Sequence, residues 1–322
     1  MSTLITGAAG FIGFHLAKYL SEKGDKLILV DNFERSSKDT DFTGLIENPD
    51  IKFYHLDITE KNSFHQIKEE ISNIYHLAAI NGTKNFYEIP DKVITVNAVG
   101  TLNLLEWLKH KPKVKVLYAS SSEVYAGALK LGIGEVPTDE KVPICIDDIS
   151  NVRWSYGISK ALAESALFAY SSRYSLRFSI IRYHNIFGPR MGLDHVIPQF
   201  SMRIINGDLP LKVYGCHQTR SFCYVSDAVR ASKLVMESSS LDGKVVHVGN
   251  DQEEIKIADL AKMMLDISSN PTEIIEYDAP EGSVDRRCPN ITLLRSTGFN
   301  PKVPLKIGVE KTIAWYQTYS NI

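Results

Sequence analysis

Thr6-Gly7-Ala8-Ala9-Gly10-Phe11-Ile12-Gly13 follows the apolar strand segment Thr3–Thr6 and opens the amphipathic stretch Phe11–Lys23. A strand running straight into a glycine turn and a helix start is the opening of a doubly wound α/β fold. The three glycines then have distinct physical roles. Gly7 allows the tight turn, Gly10 lets the backbone near a pyrophosphate, and Gly13 lets the helix pack on the strand. Free N–H groups at the helix start face the phosphates. The spacing is GxxGxxG, not the commoner GxGxxG, and such a set also suits a plain tight βα turn. Its position between strand and helix favours a dinucleotide. Asp31 closes the next strand, Leu27-Ile28-Leu29-Val30-Asp31. A carboxylate there accepts bonds from the adenosine ribose and repels a 2′-phosphate, which favours NAD. The alternative is a loop aspartate starting a turn with Asn32, and nearby Arg35 leaves some room for NADP.

The rest of the chain continues the alternation. Strand-like segments are expected at Ile51–His55, Ile74–Leu77, Val114–Ala119 and Phe178–Arg182, with helical patterns at Lys92–Lys109 and Ser155–Tyr174. Buried, aliphatic-rich strands alternating with helices imply a Rossmann-type doubly wound parallel sheet. After Arg182 the elements shorten and prolines accumulate (Pro189, Pro198, Pro210, Pro271, Pro280, Pro289, Pro301 and Pro304). This division assigns 1–182 and 221–268 to the cofactor domain, with strand Val245–Val248 and helix Ile257–Asp266 rejoining the sheet. Residues 183–220 and 269–322 form a smaller C-terminal α/β substrate lobe.

The formal net charge of −2 supplies no general field for a polyanion, so nucleic acid is not an expected partner. No apolar run approaches the roughly 20 residues needed to cross a bilayer, and no membrane role is expected. The four cysteines show neither CxxC pairing nor zinc-ligand spacing, so no metal is expected. Reduced packing cysteines in a cytoplasmic protein are the reading that follows.

Tyr156-Gly157-Ile158-Ser159-Lys160 places a phenol and an amine four residues apart, on one face of a helix. A nearby ammonium, together with the positive charge of a nicotinamide, favours phenolate and lets the tyrosine take a proton from a carbinol. The pattern alone is weak, since Tyr19 and Lys23 share the spacing. That copy lies on the first helix, past the phosphate turn, and is read as structural. Ser120-Ser121-Ser122-Glu123-Val124-Tyr125 follows a strand and so stands at a carboxyl end, where open α/β sheets bind ligands. A serine run also suits a solvated turn, and Glu123 also suits a surface or capping position.

Together, TGAAGFIG (6–13), Asp31, His76-Leu77-Ala78-Ala79, Asn97-Ala98-Val99-Gly100-Thr101, SSSEVY (120–125), YGISK (156–160), RYHNIFGPR (182–190) and TRSFCYVSDAV (219–229) resemble the extended short-chain dehydrogenase/reductases. More narrowly, the chain resembles the NAD-dependent epimerases and dehydratases of nucleotide sugars, over essentially its whole length. The resemblance implies tightly held NAD, with Gly7, Gly10, Phe11, Ile12, Gly13, Asp31, Asn32, Asp57, Ile58, Leu77, Ala78, Ala79, Asn97, Tyr156, Lys160 and Tyr183 on the cofactor side. It implies a nucleotide-diphosphate sugar bound by Ser121, Ser122, Asn185, Arg220 and Arg287. Guanidinium forks suit phosphate oxygens on charge grounds as well. Pairing into homodimers through Lys92–Lys109 and Ser155–Tyr174 is implied too. Two departures are Ala126, where the family commonly has glycine, and a longer stretch Ala126–Arg153.

By that resemblance Tyr156 takes the C4 hydroxyl proton, Ser121 holds the oxygen and Lys160 assists, giving a 4-keto sugar. Glu123 steers the second step. A 4-epimerase needs no carboxylate there, whereas dehydratases use one as base at C5 and often place an aspartate before it, where this chain has Ser122. Ser121-Ser122-Glu123 is similar to the Thr-Ser-Glu of UDP-glucuronate decarboxylases, a triplet shared with GDP-mannose dehydratases. Decarboxylation is the leading expectation, with 4-epimerisation and dehydration as alternatives. A non-catalytic NAD sensor or scaffold is a remote one.

Overall fold

The computed structural model describes residues 1–279 and 283–319. The expected alternation is present. Strands β1 (Ser2–Thr6), β2 (Leu27–Asp31), β3 (Ile51–His55), β4 (Ile71–His76), β5 (Lys115–Ser121) and β6 (Arg177–Tyr183) join Val245–Val248 in a seven-stranded sheet. Its order is Val245–Val248, β6, β5, β4, β1, β2, β3. β1 pairs in parallel with both β2 and β4, β2 with β3, and β4 with β5. The strand order therefore reverses about β1, the switch point at which doubly wound sheets open a crevice at their carboxyl ends. Leu4, Ile28, Val30, Ile74, Val116 and Ile180 are all buried in one cluster, as strands covered on both faces require.

Helix α1 (Phe11–Ser21) begins directly after the glycine turn, α2 spans Gly100–Leu108 and α3 spans Ser155–Tyr174. The helix expected at Lys92–Lys109 starts earlier, at Pro90, whose missing N–H and fixed φ suit a first turn. It is also not uniform: Thr95–Val99 is a π-helical turn that widens the coil around Asn97. The serine run differs as well. Ser120 and Ser121 are the last residues of β5, and Ser122–Tyr125 form one 3₁₀ turn.

The chain forms two compact units. The first comprises Met1–Val124, Asp148–Arg182 and Val229–Val246; the second comprises Tyr125–Asp147, Tyr183–Ala228 and His247–Ile322. These limits differ from the sequence division in three stretches. Residues 221–228 stay with the stretch Tyr183–Ala228 of the second unit. Residues 247–268 go with the second unit because Glu254–Lys256 pairs with Thr219–Ser221 there. Tyr125–Asp147 also belongs to it: the Thr138 amide donates to the Cys288 carbonyl, and the Thr138 carbonyl accepts from the Asn290 amide. The second unit holds a three-stranded sheet, in the order Glu254–Lys256, Thr219–Ser221, Arg286–Arg287, and a parallel pair Leu211–Tyr214 with Ile274–Tyr277. Among the described residues no helix is long and apolar enough to cross a membrane.

Candidate active site

The glycine turn is built for close approach. Gly7 has φ +69°, and a Cβ there would sit 2.8 Å from the Ala78 backbone. At Gly13 a Cβ would lie 2.0 Å from the Gly7 carbonyl oxygen, so only glycine lets α1 start this near β1. The Ala78 amide donates to the Thr6 hydroxyl, which ties Leu77-Ala78-Ala79 beside the turn. No carboxylate occupies the first turn of α1, whose amides at Phe11, Ile12 and Gly13 precede the first intrahelical bonds.

Asp31 serves this loop as well as facing outward. Its Oδ2 accepts from the Ala9 amide at 3.0 Å, and its Oδ1 accepts from the Phe33 amide and the Ser36 hydroxyl. A carboxylate has about four acceptor positions, so Oδ2 keeps capacity for a ribose hydroxyl. Asn32 donates to Asp57 at 3.3 Å, and Asp57 in turn accepts from the amide and hydroxyl of Thr59. The side chain of Ile58 packs where a Cβ on Gly100 would otherwise be, 2.4 Å from its Cδ1. These features fit a dinucleotide: a glycine cradle that any side chain would fill, uncapped helix amides and a part-open carboxylate at the next strand end.

Asn97 has a different place from its neighbours in the motif. It is buried, its Oδ1 accepts from the Ile80 amide, and its Nδ2 donates to the Ile80 carbonyl and the Ser159 hydroxyl. The amide is consumed in fixing the segment after Ala79 against α3.

Tyr156 and Lys160 lie on α3 as expected and both are buried. The lysine Nζ is 5.8 Å from the centroid of the phenol ring and 4.8 Å from that of Tyr118. It donates to the Ala119 carbonyl at 2.8 Å. Phe86, from the short helix Thr83–Glu88, stacks on Tyr156 with centroids 5.0 Å apart and fixes the ring's plane. Burial pushes the Tyr156 phenol above its usual range; a hydrogen bond with Ser121 works against this, Glu123 adds to it and Arg35 reduces it. Burial likewise lowers the Lys160 amine to about 7, with Glu164 opposing the fall. In the protein alone the tyrosine is not acidified, because a water-poor site disfavours both charged forms.

Ser121 closes β5 and its hydroxyl accepts from the Glu123 amide at 3.2 Å, fixing the 3₁₀ turn that carries the carboxylate. Ser122 is buried beside it. Glu123 meets a residue that the motifs do not mark: Arg153 Nη1 lies 3.4 Å from its Oε2, with the two side chains only 10% and 17% exposed. Arg153 stacks over Trp154 at 5.2 Å, and the Asn151 side chain accepts from its amide. The signal that marks it is position, on the turn leading into the tyrosine's helix and three residues before Tyr156.

In the second unit, Tyr183 is half-buried, and Asn185 has φ +43° and donates to the Ser221 carbonyl. Arg220 and Arg287 are register partners in the parallel pair of Thr219–Ser221 with Arg286–Arg287. The guanidinium of Arg220 donates to the carbonyls of Thr219 and Asp285 and to Gln218. Arg287 is buried, and neighbouring Arg286 pairs with Glu254.

The model of the NAD dependent epimerase/dehydratase family matches residues 3–249. The chain belongs to this family. It is an NAD-dependent enzyme of the nucleotide-sugar group. It is 35% identical to UDP-N-acetyl-alpha-D-glucosaminuronate decarboxylase of Bacillus cytotoxicus, over 99% of this chain and 98% of the relative. It is 32% identical to UDP-glucuronic acid decarboxylase 1 of Xenopus tropicalis, over 98% of this chain and 72% of that protein. Among solved structures, UDP-glucuronic acid 4-epimerase of Bacillus cereus, in complex with UDP-glucuronic acid and NAD, superposes with TM-score 0.86. That match has 26% identity and covers 99% of this chain and all of that one.

Proposed function

We propose that this family member decarboxylates a UDP-hexuronate through a 4-keto intermediate. The observation that carries the reading is the cluster of Ser121, Glu123, Tyr156 and Lys160 in one compact unit, with Glu123 backed by Arg153. The decarboxylase relatives support the sugar class. NAD, when bound, supplies a reversible hydride acceptor for the C4 carbon. The Tyr156 phenolate takes the C4 hydroxyl proton, and Ser121 donates to the same oxygen. The Lys160 ammonium favours that phenolate once the cofactor's charge joins it. A 4-ketone beside C5 makes the C6 carboxylate that of a β-keto acid. The C5–C6 bond then breaks, carbon dioxide leaves, and the electron pair moves to the C4 oxygen held by Ser121 and Tyr156. Glu123, oriented by Arg153, faces C5, where a proton must be returned. Return of the hydride to C4, with the Tyr156 proton going back to the C4 oxygen, then gives the UDP-pentose with no net oxidation.

We assign Gly7, Gly10, Phe11, Ile12 and Gly13 to the diphosphate of the cofactor, Asp31 and Asn32 to its adenosine ribose, and Asp57 and Ile58 to the adenine side. Leu77-Ala78-Ala79 and Tyr183 belong with the nicotinamide half, and Asn97 acts by holding that loop. Ser122 and Asn185 line the sugar side, and Arg220 and Arg287 take the sugar's diphosphate. A homodimer through the Pro90–Leu108 region and α3 fits the exposed Ile94, Val99, Leu162 and Phe168. Four cysteines outside any disulfide suit a cytoplasmic setting.

The test is incubation of the NAD-loaded protein with UDP-glucuronate and, separately, UDP-N-acetylglucosaminuronate, following carbon dioxide and sugar products by NMR. A UDP-pentose with carbon dioxide is expected. A 4-epimer alone, with no gas released, transfers the protein to the epimerases.

A further inference from the structure

Glu164 follows Lys160 by one helical turn on α3, so the two side chains share a face. Both are buried. Glu164 is held on three sides: Arg182 of β6 donates through Nε at 2.9 Å and Nη2 at 2.7 Å, and the Ser120 hydroxyl of β5 donates at 2.5 Å. Ser120 lies between Ala119, whose carbonyl accepts from Lys160, and Ser121. The carboxylate thus pairs with one buried cation, acts electrostatically on the Lys160 amine one turn away, and grips the strand end that carries the candidate site. The other groups around the amine cannot replace it. Tyr118 and Tyr156 offer ring faces, and His76, buried and held near pKa 3 by burial and by Lys160, stays neutral. Asn97 and Ser159, from the elements packed on this side, are uncharged. Arg153 is engaged with Glu123.

We propose that Glu164 is a positioning residue for the reaction: it is the counter-charge that keeps the Lys160 amine protonated in its buried site, while Arg182 and Ser120 fix the carboxylate. This rests on the proposed roles of Tyr156 and Lys160 and not on the identity of the sugar. Without Glu164 two cations share a water-poor space, and the amine releases its proton more readily. The amine's position near neutrality, about 7, makes that shift fall within the working range.

The experiment is a pH titration of the Lys160 side-chain nitrogen by 15N NMR in the NAD-loaded protein, assigned with K160M. It compares the parent with E164Q and E164D and needs no substrate, so a wrong sugar assignment leaves it intact. The midpoint is expected to fall by about one unit or more in E164Q, a tenfold change in the proton equilibrium, and to stay near the parent value in E164D. With the accepted sugar nucleotide, the alkaline limb of kcat moves to lower pH in E164Q by the same amount. A midpoint unchanged in E164Q, with activity lowered equally at every pH, overturns the proposal and leaves Glu164 a structural ion pair. Should E164Q not fold, R182K is read by the same titration. It keeps the carboxylate but loosens the grip that positions it and is expected to lower the midpoint; an unchanged midpoint overturns the proposal.

Discussion

Arg287 stands opposite Arg220 across a parallel strand pair, two like charges in register. Two guanidinium forks held side by side suit the oxygens of a diphosphate, the role proposed for both. We therefore expect R220A and R287A each to weaken UDP binding by about 10- to 100-fold, the loss of a charge-assisted contact worth about 1.5–3 kcal/mol. Calorimetry with UDP checks this. An R286A control, which removes a side chain already paired with Glu254, leaves UDP affinity unchanged.

In the proposed reaction Tyr156 takes the C4 hydroxyl proton. Y156F is expected to lower kcat by about 10²- to 10⁴-fold, the usual contribution of one general base. Retained NAD and the thermal midpoint stay close to the parent values, because the stack on Phe86 needs only the ring.

The glycine loop separates strain from collision. G13A forces a Cβ to within 2.0 Å of a carbonyl oxygen and is expected to abolish NAD retention besides costing about 1–3 kcal/mol. G24A meets nothing within 4 Å but adopts φ +84°, so it costs about 1–2 kcal/mol and leaves NAD bound. Cofactor absorbance after gel filtration, beside urea unfolding, distinguishes the two.

Lys160 predicts a pH dependence of stability. Its amine is lowered by burial from 10.5 to about 7, so between those values the unfolded chain binds a proton that the folded one does not. Stability from this group therefore rises with pH across that window, and below about 7 the full burden of a buried cation is present. K160M is expected to stabilise the cofactor-free protein most near pH 6, with the gain shrinking towards about pH 9.5. Urea unfolding at roughly pH 6, 8 and 9.5 measures it.

Arg153 orients Glu123 through one ionic contact. R153M is expected to lower kcat about tenfold with KM little changed, consistent with losing a single charge-assisted bond that touches Glu123 alone.

Much of this site is legible in the chain because local rules set it. The glycine turn follows from backbone sterics, Asp31 from its place at a strand end, and the Tyr156–Lys160 pair from helical spacing. The groups that complete the site come from distant segments. Phe86 reaches Tyr156 from a separate short helix, and Arg182 reaches Glu164 from β6, and no local pattern marks either. The π turn at Thr95–Val99 keeps the apolar periodicity of an ordinary helix, so nothing in its composition reveals it. The limits of the two units are hidden for a similar reason. They depend on which strand Glu254–Lys256 pairs with, and periodicity cannot choose a partner.

The segment limits bear on engineering. Since the chain passes back and forth between its two units, with Val124 ending one stretch and Tyr125 starting the next, neither unit exists as a contiguous gene fragment. Grafting a relative's second unit onto this first unit therefore requires splicing at every crossing, the first of them within the turn that bears Glu123. Recombination at a single joint would leave both halves missing strands of their own.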